Sequence, residues 1–294
     1  MTTAHELTCS TTASSADFVD RIDLAGKVVF VAGGTSGINL GIAEDFARAG
    51  ARVAVMSRSQ DKVDATVDRL SALGAEAMGG SADVRDFAAT EAVLAAARER
   101  FGDIDVLISG AAGNFPAAAL GLSSNGFRSV VDIDLIGTFN VLRAAYQFLT
   151  KPGASVINIS APQAVLPTIT QAHVCAAKAG VDMLTKVLAL EWGPAGVRVN
   201  AVIPGPIDDT EGLARLAPTE QDRSMIVGSV PLRRYGSPRD VANVCRFLAS
   251  PLASYVSGVV LAADGGWALG GAATMGTIGQ PLLDAVSPRN QEET

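Results

Sequence analysis

Five small residues in a row, Gly33-Gly34-Thr35-Ser36-Gly37, follow an apolar run, Lys27–Ala32, and precede a helical pattern that stops at Gly50. Ile42, Phe46 and Ala49 carry that pattern. A strand, a glycine turn and a helix in this order bring free backbone N–H groups and a positive dipole end to one place. The ligand such a turn suits is the pyrophosphate of a dinucleotide, with Gly33, Thr35, Ser36, Gly37 and Ile38 as candidate contacts. The spacing is Gly-x-x-x-Gly-x-Asn. Asn39 stands where a third glycine is usual and is expected to crowd the helix–strand contact, with Gly41 close by. An ordinary tight turn has the same composition, so the reading depends on what else reaches that spot.

A second cluster follows the next apolar run, in Ser57-Arg58-Ser59-Gln60-Asp61-Lys62. A carboxylate at the end of that strand would bind a ribose 2′-hydroxyl and repel a 2′-phosphate. Arg58 does the reverse, and Lys62 adds positive charge. The cofactor expected is NADPH rather than NADH, with Asp61 near enough to soften the preference.

The elements that must hold these residues alternate along the chain. Strands are predicted at 27–32, 51–57, 76–81, 104–109, 155–160, 197–203 and 258–262. Helices are predicted at 61–73, 87–101, 125–149, 171–192 and 238–249, and a mobile stretch up to Gly236. Unbroken alternation predicts an α/β fold, a single doubly wound Rossmann domain whose seven-stranded parallel sheet has helices on both faces. Residues 1–24 read as an N-terminal tail with a short docking segment at Phe18–Leu24, 25–270 as the domain, and 271–294 as a C-terminal tail. In such sheets a ligand lies beyond the C-terminal strand ends. Gly33–Gly37, Arg58, Asp83, Gly110–Phe115, Ser160 and Pro204–Thr210 all fall there.

Composition removes other classes. The 294 residues are 48% apolar, enough to fill a large core. A net charge of −7 argues against nucleic acid or an anionic membrane as partner. Cys9, Cys175 and Cys245 show no paired spacing, which suggests a reducing compartment, here the cytoplasm, and no metal cluster. The only histidines are His5 and His173, and no Gly-x-Ser-x-Gly elbow is present, so a multi-histidine metal site and a serine hydrolase are both disfavoured.

Further stretches carry a resemblance: Ala111-Ala112-Gly113-Asn114-Phe115, Asp132-Ile133-Asp134 before Gly137-Thr138-Phe139-Asn140, and Glu191-Trp192-Gly193-Pro194. Pro204-Gly205-Pro206 with Thr210-Glu211-Gly212-Leu213, and Pro251-Leu252-Ala253-Ser254-Tyr255, belong with them. Over residues 22–268 the chain resembles the short-chain dehydrogenase/reductases, and among them is most similar to the peroxisomal-type 2,4-dienoyl-CoA reductases. The superfamily's usual machinery is a tyrosine four residues before a lysine, with a serine and an asparagine. Here Lys178 is kept, Val174 takes the tyrosine position, Ala161 the serine position and Asp134 the asparagine position. Val174 has no proton to give, which disfavours a keto or sugar reductase.

The resembling reductases share these losses. The resemblance implies an NADPH-dependent reductase of an unsaturated acyl-CoA, in which Asp134 and Lys178 hold a water that protonates the substrate. It further implies cofactor contacts from Asp83, Val84, Ala111, Lys178, Pro204, Gly205, Ile207 and Thr210. Acyl-CoA contacts are implied for Arg85, Phe115, Ser123, Ser124, Asn125 and Arg215, and so is a homotetramer. Asp132 and Asp134 point to roughly opposite helix faces, so one alone faces the cofactor, and the match favours Asp134. His173, one residue off the Val174–Lys178 face, is expected to pack or support. Ala32, Asn39 and Ser109 depart from the family pattern on the cofactor side. They keep two alternatives open: a catalytically silent dinucleotide-binding scaffold, and a relative acting on another carbonyl or enoyl substrate.

Overall fold

The computed structural model describes residues 22–286. Seven strands form one parallel sheet: β1 (Val28–Ala32), β2 (Arg52–Ser57), β3 (Ala77–Ser81), β4 (Val106–Ser109), β5 (Ser155–Ile159), β6 (Arg198–Pro204) and β7 (Val260–Ala263). The alternation predicts a doubly wound parallel sheet, and the structure gives its order as β3-β2-β1-β4-β5-β6-β7. Winding runs outward in both directions from the neighbours β1 and β4. The crevice beyond their C-terminal ends is therefore the topological switch point where such sheets bind ligands.

β1 shows why the sheet is buried on both sides. All five of its residues are buried, and successive side chains alternate between faces. Val29 and Val31 join a core that includes Ile42 and Phe46 of α1 (Gly37–Arg48), Val63 and Leu70 of α2 (Gln60–Ala72), and Val241 of α9 (Pro238–Ala249). Val28, Phe30 and Ala32 join the opposite core, with Leu94 of α3 (Phe87–Phe101), Leu142 of α5 (Gly137–Ala145) and Leu188 of α6 (Ala172–Trp192).

Three expectations need correction. The long helix expected at 125–149 is α4 (Ser124–Val131), a π-turn over Asp132–Ile136, α5, and a tight 3₁₀ turn over Tyr146–Phe148. An extra residue inserted into a helix does not disturb apolar periodicity enough to be read, and such turns gather at functional sites. The stretch expected to be mobile contains α7 (Glu211–Leu216) and α8 (Glu220–Ser229). Thr219 and Asp222 cap α8 reciprocally, and Ile226 packs with Leu213, Ala217, Trp267 and Met275. The expected C-terminal tail continues as α10 (Thr274–Asp284), because Met275 is buried in that same small core. Within the expected N-terminal tail, Leu24 is buried in the main core and Ile22 packs against it, while residues 1–21 and 287–294 lie outside the described residues.

The helix that follows the glycine turn is anchored by charge. Asp45 of α1 and Arg246 of α9 form a buried pair, with Nη2–Oδ1 at 2.7 Å and Nε donating to Oδ2 at 2.9 Å. Removing one partner strands the other charge in the core. Arg246→Leu is therefore expected to lower stability by about 3–5 kcal/mol, read as the shift in a urea unfolding transition.

Candidate active site

A cleft of about 690 Å³ opens beyond the C-terminal ends of the strands, centred on the β1–β4 switch point. Its floor is built from backbone. Gly33 has φ +77, and a Cβ there would lie 2.8 Å from Ala111 Cα, so the turns after β1 and β4 touch only because residue 33 is glycine. Asn39 does not crowd this contact. Its Nδ2 donates to the Gly110 carbonyl at 2.7 Å, in space that a Cβ on Gly110 would fill. The close helix packing usual for a third glycine is met instead at Gly41, which lies against Pro238 of α9.

Ser59 and Asp86 cap α2 and α3 with their side chains, whereas Ser36 makes no such bond at α1, whose first turn carries no acidic residue. The opening N–H groups of α1 are thus left for a ligand beside Thr35, Ser36, Gly37 and Ile38, all of which line the cleft. A glycine-built cradle at an uncapped helix start fits the pyrophosphate of a dinucleotide.

Along one arm of the cleft lie Arg58, Asp83, Val84 and Ala111. Arg58 is exposed at the end of β2, whereas Lys62 lies outside the lining, with its backbone N–H directed to Ser59 Oγ at 3.5 Å. The sequence reading sends Asp83 to the cofactor and Arg85 to the substrate. The structure brings the two together: Arg85 Nε donates to Asp83 Oδ1 at 3.0 Å and Nη2 to Oδ2 at 2.6 Å. That hydrogen-bonded guanidinium holds the Asp83 carboxyl below the usual carboxylate range. Pro204 at the end of β6, and Gly205, Ile207 and Thr210 after it, also line the cleft, and Thr210 caps α7.

Asp134 and Lys178 meet at the inner end. The π-turn carries the Asp134 carboxylate inward, and it is almost fully buried. Oδ1 accepts the Gly113 N–H at 2.7 Å, and Oδ2 faces Lys178 Nζ at 3.3 Å. Asp132 of the same turn is only partly buried, so the two aspartates do part. Lys178 Nζ also donates to the Ile159 carbonyl at 3.0 Å. A buried ammonium and carboxylate that answer each other and the backbone avoid the cost of an isolated charge. Val174, one turn before Lys178 on α6, lines the cleft beside it, as do Ser160 and Ala161. His173 is fully buried, its ring edge-on to Phe115 at 4.7 Å, and burial pushes its pKa down.

The expected substrate contacts spread more widely. Arg215 lines the cleft, and its Nη1 donates to the Asn114 carbonyl at 3.1 Å, linking α7 to the loop after β4. Phe115 is exposed and lies outside the lining. So do Ser123, Ser124 and Asn125, exposed at the start of α4, where Ser123 Oγ accepts the Gly126 N–H at 3.1 Å. Leu213, Ile226, Trp267 and Met275 supply an apolar wall that the sequence reading missed. Its available signals were the capping pair Thr219 and Asp222 and a tryptophan directly after Gly265-Gly266.

Comparison with known proteins gives concordant results. The enoyl-(acyl carrier protein) reductase family profile matches residues 32–268. The peroxisomal 2,4-dienoyl-CoA reductase of Rattus norvegicus is 45% identical over 245 residues, which cover 83% of this chain and 84% of the rat protein. The corresponding Saccharomyces cerevisiae enzyme is 42% identical over 250 residues, covering 83% and 85%. Among solved structures, a short chain dehydrogenase from Bacillus anthracis superposes with TM-score 0.74 at 35% identity, covering 82% of this chain and 96% of its own.

Proposed function

This chain belongs to the short-chain dehydrogenase/reductase family, and within it we propose that the protein reduces a 2,4-dienoyl-CoA or closely related unsaturated acyl-CoA with NADPH. The observation that carries the reading is the buried Asp134–Lys178 pair at 3.3 Å, set beside a valine where a carbonyl reductase needs its tyrosine. The relatives named 2,4-dienoyl-CoA reductases support the substrate class. The family's oxidoreductase chemistry implies a nicotinamide dinucleotide.

When bound, that cofactor supplies a hydride to the far end of the conjugated thioester. Negative charge then collects on the thioester oxygen and the α carbon, where the Lys178 ammonium stabilises it. Asp134, fixed by the Gly113 N–H, orients a water whose proton goes to carbon. A reaction that protonates carbon from a held water has no need of a tyrosine, which is why Val174 is tolerated. Leu213, Ile226, Trp267 and Met275 suit an acyl chain, and Arg215 suits the phosphates of CoA. We place the protein's work in the cytoplasm. No helix among the described residues is long and apolar enough to cross a membrane.

A homotetramer belongs to the same reading. Met183, Val187 and Leu190 leave an apolar stripe on α6, with Ile136 exposed just before α5 and Phe139 exposed on it. Leu252, Tyr255 and Leu269 are exposed as well, and two distinct twofold contacts are what a closed four-copy assembly requires. Light scattering at micromolar concentration is expected to give four times the mass of one chain; a monomer contradicts it.

Cofactor choice is assigned to Arg58. Arg58→Asp is expected to weaken NADPH by about 1.5–3 kcal/mol, the worth of a charge-assisted contact, with NADH little affected. Equal affinity of the parent protein for both cofactors, measured by fluorescence titration, would sink this.

Single-turnover NADPH oxidation with a 2,4-dienoyl-CoA tests the mechanism. Asp134→Asn keeps shape but loses the charge, and should slow turnover by ~10²–10⁴ with cofactor affinity little changed. Lys178→Ala should damage both. Asp134→Asn running at the parent rate is the result that removes the water-relay reading.

A further inference from the structure

Lys178 has a second acidic neighbour. Asp182 is one turn further along α6, on the same helix face. It is buried, and neither carboxylate oxygen has a hydrogen bond of normal geometry. Ser160, the residue after β5, is equally buried, its hydroxyl likewise unanswered, and it lines the cleft. Lys178 Nζ donates to the carbonyl of Ile159, the residue just before Ser160, so α6 sets Lys178 against the end of β5, one turn before Asp182.

The groups that act on Asp182 are the Ser160 hydroxyl and two cations of its own helix, Lys178 and Lys186. Burial outweighs all three and pushes the carboxyl up from its ordinary value. Asp134 approaches the same ammonium from the π-turn and forms the ion pair. Where two carboxylates share one ammonium in a desolvated site, the unpaired one is the better holder of a proton.

We propose that Asp182 and Ser160 form the proton-supply pair of this site, restoring the proton that the water held by Asp134 and Lys178 gives to the reduced acyl chain. The proposal rests on the acyl-CoA reductase reading above. The water's O–H bond breaks as the C–H bond at the α carbon forms, leaving hydroxide beside Lys178. Ser160 Oγ passes its proton to that hydroxide and takes one from the Asp182 carboxyl. Asp182 ends as carboxylate and regains a proton from solvent before the next turnover. No electrons move in this step, and Ser160 is unchanged at its end.

Two measurements test it. Infrared spectroscopy of the unliganded protein at neutral pH should show a protonated-carboxyl band that shifts in D₂O and is missing in Asp182→Asn. In steady-state NADPH oxidation with a 2,4-dienoyl-CoA, Asp182→Asn and Ser160→Ala should each lower kcat by about tenfold or more and enlarge the solvent deuterium effect. KM and NADPH affinity should stay within about twofold, a split that mere loss of structure does not produce. Ser160→Thr keeps the hydroxyl and should restore turnover. An active parent enzyme whose two variants keep its kcat overturns this proposal alone, as does absence of the Asp182 band. A parent protein inactive on the dienoyl-CoA overturns the acyl-CoA reading and the supply pair's role in turnover together.

Discussion

The buried pair between Asp134 and Lys178 is the interaction that the rest of the site is built to hold. Neither charge is stable alone at that depth. The π-turn turns Asp134 inward, the Gly113 N–H satisfies one of its oxygens, and the Ile159 carbonyl holds the ammonium from the sheet side. Three elements far apart in sequence therefore meet at one ion pair: the loop after β4, the helix interrupted at 132–136, and α6 docked on β5. Shifting any of them leaves a buried charge without its partner, which ties the active geometry to the integrity of the fold.

The cofactor side obeys a different constraint, the approach of backbone to backbone. Gly33 meets Ala111, Asn39 fills the space over Gly110, and Gly41 admits Pro238. The Asp45–Arg246 pair holds α1 against α9 behind this cradle. Asn39 thus replaces one glycine contact with a hydrogen bond between the first helix and the end of β4. Rigidity there serves binding, because an anion is held by N–H groups whose positions are set before it arrives.

Over the apolar end of the cleft sits a third, smaller core formed by α7, α8, α10 and Trp267. It is separate from the two cores that sandwich the sheet. Arg215 ties α7 to the Asn114 carbonyl across the cleft. An apolar wall carried by a small independent core thus lies next to a polar inner end held on rigid elements.

The parallel sheet, its seven strands and the glycine cradle were legible in the amino-acid sequence. Local pattern decides them: the strand runs are apolar on both faces, and a turn that needs φ near +77 at residue 33 announces itself as glycine. The retained Lys178 and the lost tyrosine could be read as well, since both lie on one helix face four residues apart. Other features belonged to tertiary structure. The π-turn adds one residue within an otherwise regular helix, which periodicity does not register. The helix α7 is short and α10 carries Pro281 in its interior, and they form because Trp267, Ile226 and Met275 bury one another. Asp83 meets Arg85 through side-chain conformations that no spacing specifies. Asp182 looks like any helix-surface acid in the sequence, and only the packing of α6 in the folded protein removes it from water, because burial is a property of neighbours that the chain itself does not carry.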